Sequence, residues 1–349
     1  MNDSFQGFSF HATLYSVEQR PRTAGTDLKT TQPGDRDALE PTGGRETVDL
    51  RILAPLALTA FVGMINNFAF GPFLPSISRE LGTSVPILGQ VATATFFMTA
   101  FGGLFVGPLA DHFGHRRMMV VGLTLALTSA AGTALAPDFW TLLAARMAGG
   151  AAGSVASGVT LAAAGTLFAG DARRRALSIV TATVAGGVIL GAPTLTSVGA
   201  WVSWRGAFGL VAAAAACILI FFIFGFPADK ARASWAGISV RQMVDSYRPL
   251  IAERRMFFFF GGSLLQAVAW AGPFTYLGAF LEDAFAFSTQ EIGYGYMMAG
   301  AGFFTGSLIG GGRMRGLGLV PIFALTTATL GVLWALILIF QFHPVASLG

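Results

Sequence analysis

Beyond residue 51 the chain alternates between long apolar stretches and short polar connections. The stretches cover 52–75, 86–110, 118–136, 139–168, 176–200, 206–226, 256–281, 292–312 and 317–342. Each is close to or above the roughly 20 residues that a helix needs to cross a bilayer. The runs are continuous rather than alternating and rich in Ala, Leu and Gly, which argues against membrane strands. Backbone groups in lipid must be satisfied within their own segment, so nine transmembrane α-helices are predicted. The longest interruption, 227–255, carries Lys230, Arg232, Arg241, Arg248, Arg254 and Arg255 and divides the spans into six and three.

Composition supports the same class. The 349 residues are 54% hydrophobic and 11% charged, with 45 Gly and 32 Phe. An ordinary soluble domain carries about 25% charge, so a soluble enzyme, a disordered scaffold and a nucleic-acid binder are excluded. The single cysteine, Cys217, excludes a disulfide framework or a Cys-rich metal site. The first 51 residues hold Arg20, Arg22, Lys29, Arg36, Arg45 and Arg51 against eight acids, with no apolar core for a signal peptide. They are expected to form a disordered cytoplasmic arm, with a solvated tail, a regulatory arm and an over-long start as the alternatives.

Charge position predicts orientation. The loops after the second, fourth, sixth and eighth spans hold thirteen basic side chains, among them Arg116, Arg117, Arg173, Arg174, Arg175, Arg313 and Arg315. The loops on the other side hold two, Arg79 and Arg205, with Glu80, Asp138, Glu282, Asp283 and Glu291. By the positive-inside rule the N-terminus is cytoplasmic, and nine spans put the C-terminus on the outer side of the cell membrane. The net charge of +4 therefore reports topology rather than an anionic partner.

Several motifs recur in fixed order. Between the second and third spans stands Gly107-Pro-Leu-Ala-Asp111-His-Phe-Gly114-His-Arg116-Arg117. In it Gly107 is expected to let helices approach closely, Asp111 to cap or pair at a helix end, and Gly114 to permit a tight turn. The first span ends in Gly71-Pro72-Phe-Leu-Pro75, the fourth carries Arg146-Met-Ala-Gly149-Gly150-Ala-Ala-Gly153, and the sixth begins near Trp204-Arg205-Gly-Ala-Phe208. Together these resemble the major facilitator superfamily, and within it the drug and metabolite efflux (proton antiporter) branch. The resemblance implies twelve spans in two six-helix halves, with the loop motif acting as a conformational switch. On that footing the chain is an all-α polytopic membrane protein with a six-helix half, 52–226, a cytoplasmic central loop, 227–255, and an incomplete three-helix half, 256–349. A partner chain supplying the remaining helices, or a cut product without activity, follows as an expectation.

The fifth span departs from the antiporter pattern. Gly187 and Gly191 are present, but Ala192 stands where the proline belongs, and Pro193 follows one place late. Small-residue packing is the alternative role for these two glycines, as it is for Gly302, Gly306 and Gly310 in the eighth span. His112 and His115 stand three apart with no further metal ligands nearby. No metal or cofactor is predicted.

Transport candidates are few. Arg146 is the one ionisable residue well inside a span, and such a residue costs roughly 2.5–3.5 kcal/mol to insert. At about 1.5 Å per residue it lies about 10 Å into the fourth span, while Asn66 lies about 21 Å along the oppositely directed first span. These depths agree, so Arg146 and Asn66 or Asn67 are expected to share a polar cluster on a cavity wall. The alternative is that Arg146 snorkels or only braces helices. Gln266 and Trp270 share a face of the seventh span, which suits a cavity for amphipathic molecules or, equally, interhelical bonding. No carboxylate lies within a span, so proton coupling has no evident buried carrier. The expected function is secondary transport of a small molecule, drug, sugar or metabolite, by alternating access in the lipid bilayer. The alternative is a membrane protein without transport of its own.

Overall fold

The computed structural model describes residues 48–226, 248, 254–312 and 319–340. The expected arm up to residue 47, most of the central loop, and Arg313 and Arg315 lie outside the described residues. From Arg45 onward the chain is one compact unit. Among the described residues there are nine long helices and one short one. They are α1 (Leu50–Phe68), α2 (Leu74–Leu81), α3 (Val85–Phe113), α4 (His115–Leu135) and α5 (Phe139–Leu167). There follow α6 (Gly170–Trp201), α7 (Trp204–Gly225), α8 (Arg254–Phe285), α9 (Thr289–Gly312) and α10 (Leu319–Phe340). Seven candidate spans, with α1 and α2 taken as one, are long and apolar enough to cross a membrane.

Each predicted span coincides with a helix, with two instructive differences. The first span is broken rather than continuous. A 3-10 turn at Gly71–Phe73 separates α1 from α2, because Pro72 has no amide hydrogen to continue the ladder and Pro75 is acceptable only in the first turn of a new helix. The other difference is length. Helix α6 begins six residues before the apolar run, with Asp171 in its first turn, where a carboxylate complements the helix dipole. Hydropathy marks only the part of a helix that lies in lipid.

Polar residues close the helix ends. The Asp49 carboxylate accepts from the Arg51 amide at 2.9 Å at the start of α1. Asp138 accepts from the Thr141 amide at 2.8 Å at the start of α5, and this bond holds its carboxyl below the usual carboxylate range. Gly114, with φ +88°, makes the turn between α3 and α4 that the loop motif predicts. Inside the spans, Thr95 and Thr99 return their hydroxyls to carbonyls four residues back, which satisfies them without water.

Helix α5 is the centre of the bundle, packed against α3, α4 and α1. Helix α4 also packs on α7, and α1 on α6. The later helices join this group in two places, α9 along α6 and α8 on the 3-10 turn and α2. One apolar core includes Leu56, Leu88, Met119, Leu142, Val159 and Phe208, and a smaller one Phe274, Leu277, Leu281, Ile292 and Tyr296. Trp140 and Trp201, highly exposed, lie at the end of the bundle away from the arginine loops, as membrane-interface anchors do.

The close-packing glycines are not all the expected ones. A methyl on Gly107, Gly302 or Gly306 would meet no described atom within 4 Å. The helices instead approach at Gly102, which faces Ser154, at Gly293, which faces Thr196 and Pro193, and at Gly300, where a methyl would come within 3.0–3.2 Å of the α6 backbone at Val188 and Ile189. Gly310 lies outside the residues described at the side chain. Spacing within a helix names a small-residue stripe, but the partner's position decides which stripe is covered.

Candidate functional site

Two antiparallel helices carry the polar centre. Asn66 and Asn67 lie in the last turn of α1, and Arg146 lies two turns into α5. Arg146 is 1% exposed. Its Nη1 donates to Asn66 Oδ1 at 3.3 Å, and its Nη2 to the Asn67 carbonyl at 3.5 Å. The guanidinium also lies 5.5 Å from the Phe70 ring centre and 5.7 Å from that of Phe208. Such contacts contribute up to about 2 kcal/mol each when water is excluded, so the aromatic rings offset part of the burial cost.

The glycine motif of α5 makes room for this arrangement. A methyl on Gly149 would press on Ser129 and come within 3.1 Å of Asn66 Nδ2, and one on Gly153 would reach Asn67 at 2.5–2.9 Å. Gly150 lies against the Thr95 backbone of α3, and Thr99 Oγ1 donates to the Gly150 carbonyl at 3.0 Å. Arginine and glycines are thus one device, since the glycines seat the asparagines that the arginine bonds.

Beside Arg146 is a crevice lined by Asn67, Phe68, Phe70, Thr95, Phe96, Phe274 and Thr275, with free volume of about 10 Å³. That is roughly the room for one water. Its walls come from α1, α3, α5 and α8, so it sits on the seam between the first group of helices and the later ones. Trp270 does not line it but backs two of its walls, stacked on Phe274 at 5.1 Å and edge-on to Phe68 at 5.2 Å. Gln266 is half-buried one turn earlier and does not line the crevice. Ion pairs among the described residues include Arg79–Glu282 and Arg205–Glu80, and neither involves Arg146. Two buried polar atoms at the crevice have no partner, Arg146 Nε and Asn67 Oδ1.

The remaining predicted residues lie elsewhere. Gly187 and Gly191 face α1, where a methyl on each would come within 3.1 Å of Met64 Cβ and 2.8 Å of Ile65 Cγ1, and Pro193 packs on Gly293 of α9. They serve helix packing in this structure. Asp111 is exposed in the last turn of α3. Arg116 Nη2 donates to the Ile223 carbonyl at 2.7 Å, which ties the α3–α4 turn to the end of α7, while Arg117 is exposed. The aromatic residues of the crevice carry no signal in the sequence, being a few among 32 Phe.

The family model of the Major Facilitator Superfamily matches residues 56–348. A chloramphenicol resistance protein of Streptomyces lividans is 26% identical over 287 residues, 81% of this chain and 71% of that relative. Puromycin resistance protein pur8 of Streptomyces alboniger is 36% identical over 158 residues, which are 44% of this chain and 30% of the relative. For a D-xylose transporter of Levilactobacillus brevis the figures are 29% over 133 residues, 38% and 29%. The chain thus spans seven tenths of the first relative and under a third of the other two. Among solved structures, a D-xylose-proton symporter superposes with a TM-score of 0.58 at 16% identity, covering 73% of this chain and 66% of that one. The xylose transporter XylE of E. coli, in a partially occluded inward-open conformation, gives 0.57 at 14%, with coverages of 79% and 75%. With the family model running along almost the whole bundle, and the bundle itself shared with solved transporters, this multi-pass membrane protein, a transporter by family and not an enzyme, belongs to the Major Facilitator Superfamily.

Proposed function

We propose that the chain is an efflux permease for small amphipathic molecules, working by alternating access with its arginine-rich loops in the cytoplasm. The observation that carries this reading is the buried Arg146 on the seam between α5, α1 and α8. A site walled by both groups of helices changes its exposure when one group rocks against the other. Arg146, Asn66 and Asn67 form the polar wall, and Trp270 and the phenylalanines the apolar one. The two resistance proteins among the relatives favour efflux. The motif around Gly114 and Arg116 acts as the switch, because it couples the α3–α4 turn to the end of α7.

The test is flux of chloramphenicol, puromycin and D-xylose in everted vesicles carrying the intact chain. Transport of at least one, abolished by Arg146→Ala at undiminished protein level, is the expected result. Transport unchanged by Arg146→Ala overturns the role of the site. No flux of any compound moves the reading to a membrane protein without transport of its own.

A further inference from the structure

The environment of Arg146 is unbalanced. The residue is 1% exposed, yet no carboxylate among the described residues pairs with it. Its two hydrogen bonds, 3.3 and 3.5 Å, are long for a charged donor, where about 2.7–2.9 Å is usual. Its Nε has no partner, although it is buried beside the crevice. A buried cation held only by an amide, a carbonyl and two ring faces is short of one negative charge. The space next to it is bounded by Phe68, Phe96 and Phe274, with Trp270 packed behind Phe68 and Phe274.

We infer that the missing charge arrives with the cargo, and that the site takes an organic anion whose carboxylate meets the Arg146 guanidinium while its aromatic body lies among these rings. This deepens the transport reading and rests on it. A planar carboxylate matches the guanidinium fork. The Asn67 amide, with its unpartnered oxygen, serves a donor group on the same ligand. The crevice holds about one water here, so the ligand enters only as α8, with Phe274 and Thr275, withdraws from α1 and α3. Net neutralisation on binding distinguishes this from a site for neutral drugs. It also makes the loaded site less costly to keep out of water than the empty one.

The test uses the full chain in detergent, with tryptophan fluorescence as the readout and Trp270→Phe to assign the signal among six tryptophans. Four probes are compared, namely phenylacetate, phenylacetamide, acetate and chloride. Phenylacetate is expected to bind at least about tenfold tighter than each of the others. In Arg146→Gln the preference for phenylacetate over phenylacetamide disappears, and in Arg146→Lys part of it returns. If Arg146→Gln does not fold, Asn67→Asp decides, since an internal carboxylate beside Arg146 supplies the missing charge and the preference for phenylacetate over phenylacetamide falls at least about tenfold. Equal binding of phenylacetamide overturns the inference. So does chloride or acetate matching phenylacetate, or no binding of phenylacetate at all. Flux in proteoliposomes separates the two readings. Preferential binding without flux of any compound sinks transport alone, and flux of neutral drugs with no preference for the anion sinks this inference alone.

Discussion

Gly150 and Gly107 look alike in the sequence, each in a motif and each inside an apolar helix. Their surroundings differ. A methyl on Gly150 would press on the Thr95 carbonyl and reach Met98 Cβ at 2.8 Å, and a backbone carbonyl cannot turn away as a side chain can. Gly150→Ala is therefore expected to cost roughly 1–3 kcal/mol, as overpacking does, and to lower the midpoint of thermal unfolding in micelles. Gly107→Ala meets no described atom within 4 Å and gains about 0.5–1 kcal/mol of helix propensity, so its midpoint is expected to hold or rise. A fall at Gly107 equal to that at Gly150 would contradict the packing described. The Arg146–Asn66 pair was legible beforehand, because the helical rise alone places two residues at one depth on antiparallel helices. Phe68, Phe70, Phe208 and Phe274 were not, because a helix in lipid is apolar on every side. Hydropathy then gives no sign of which face meets protein and which meets acyl chains.

Helix α8 shows how one element is held by the side chain of another. The Tyr296 hydroxyl of α9 donates to the Phe274 carbonyl at 2.7 Å and accepts from the Gly278 amide at 3.3 Å. These are the two groups that an α-helix ordinarily pairs with each other, and they follow directly on Pro273. A side chain set into the ladder after a proline marks a place where a helix bends. Phe274 also meets the Tyr296 ring edge-on at 4.8 Å. Tyr296→Phe keeps the ring and removes the bridge, so it is expected to cost about 0.5–1.5 kcal/mol, the usual net worth of a hydrogen bond. Gly278→Ala is expected to cost more, since its methyl would lie 2.8 Å from the Gly71 carbonyl and 3.2 Å from Pro72 Cα. Thermal unfolding of the two variants checks the order, and a Tyr296→Phe protein as stable as the parent would remove the bridge from the account. The existence of α8 was legible from its apolar run, but the inserted tyrosine was not. Tyr296 lies 22 residues from the carbonyl it bonds, and only packing brings the two helices together.

At the scale of the molecule, α9 runs along α6, while the contacts of α8 with the first helices gather at one end. There Arg79 of α2 pairs with Glu282 of α8, while the neighbouring Glu80 receives bonds from Trp204 and Arg205 of α7. Tyr276 covers Gly89, and Gly278 covers Gly71. Toward the arginine loops the pattern reverses. Gly302 and Gly306 meet nothing described, and Phe258, Leu264 and Leu265 are exposed. Among the described residues the two groups are therefore closed at the end bearing Arg79 and parted toward the other, with the Arg146 crevice just inside the closed end. This predicts unequal access for a water-soluble maleimide once Cys217, itself exposed, is replaced by serine. A cysteine at Gly306 should react readily from the side of the arginine loops, and one at Thr275, 9% exposed on the crevice wall, should be protected. Arg79→Glu sets like charges on α2 and α8. An exposed ion pair is worth up to about 1 kcal/mol, so its loss and reversal should raise the Thr275 labelling rate by about fivefold or more. Equal labelling of the two positions, or an inert cysteine at Gly306, would mean that the parted end is filled by lipid rather than water. The rocking of two helix groups about Arg146 would then have no aqueous path to serve.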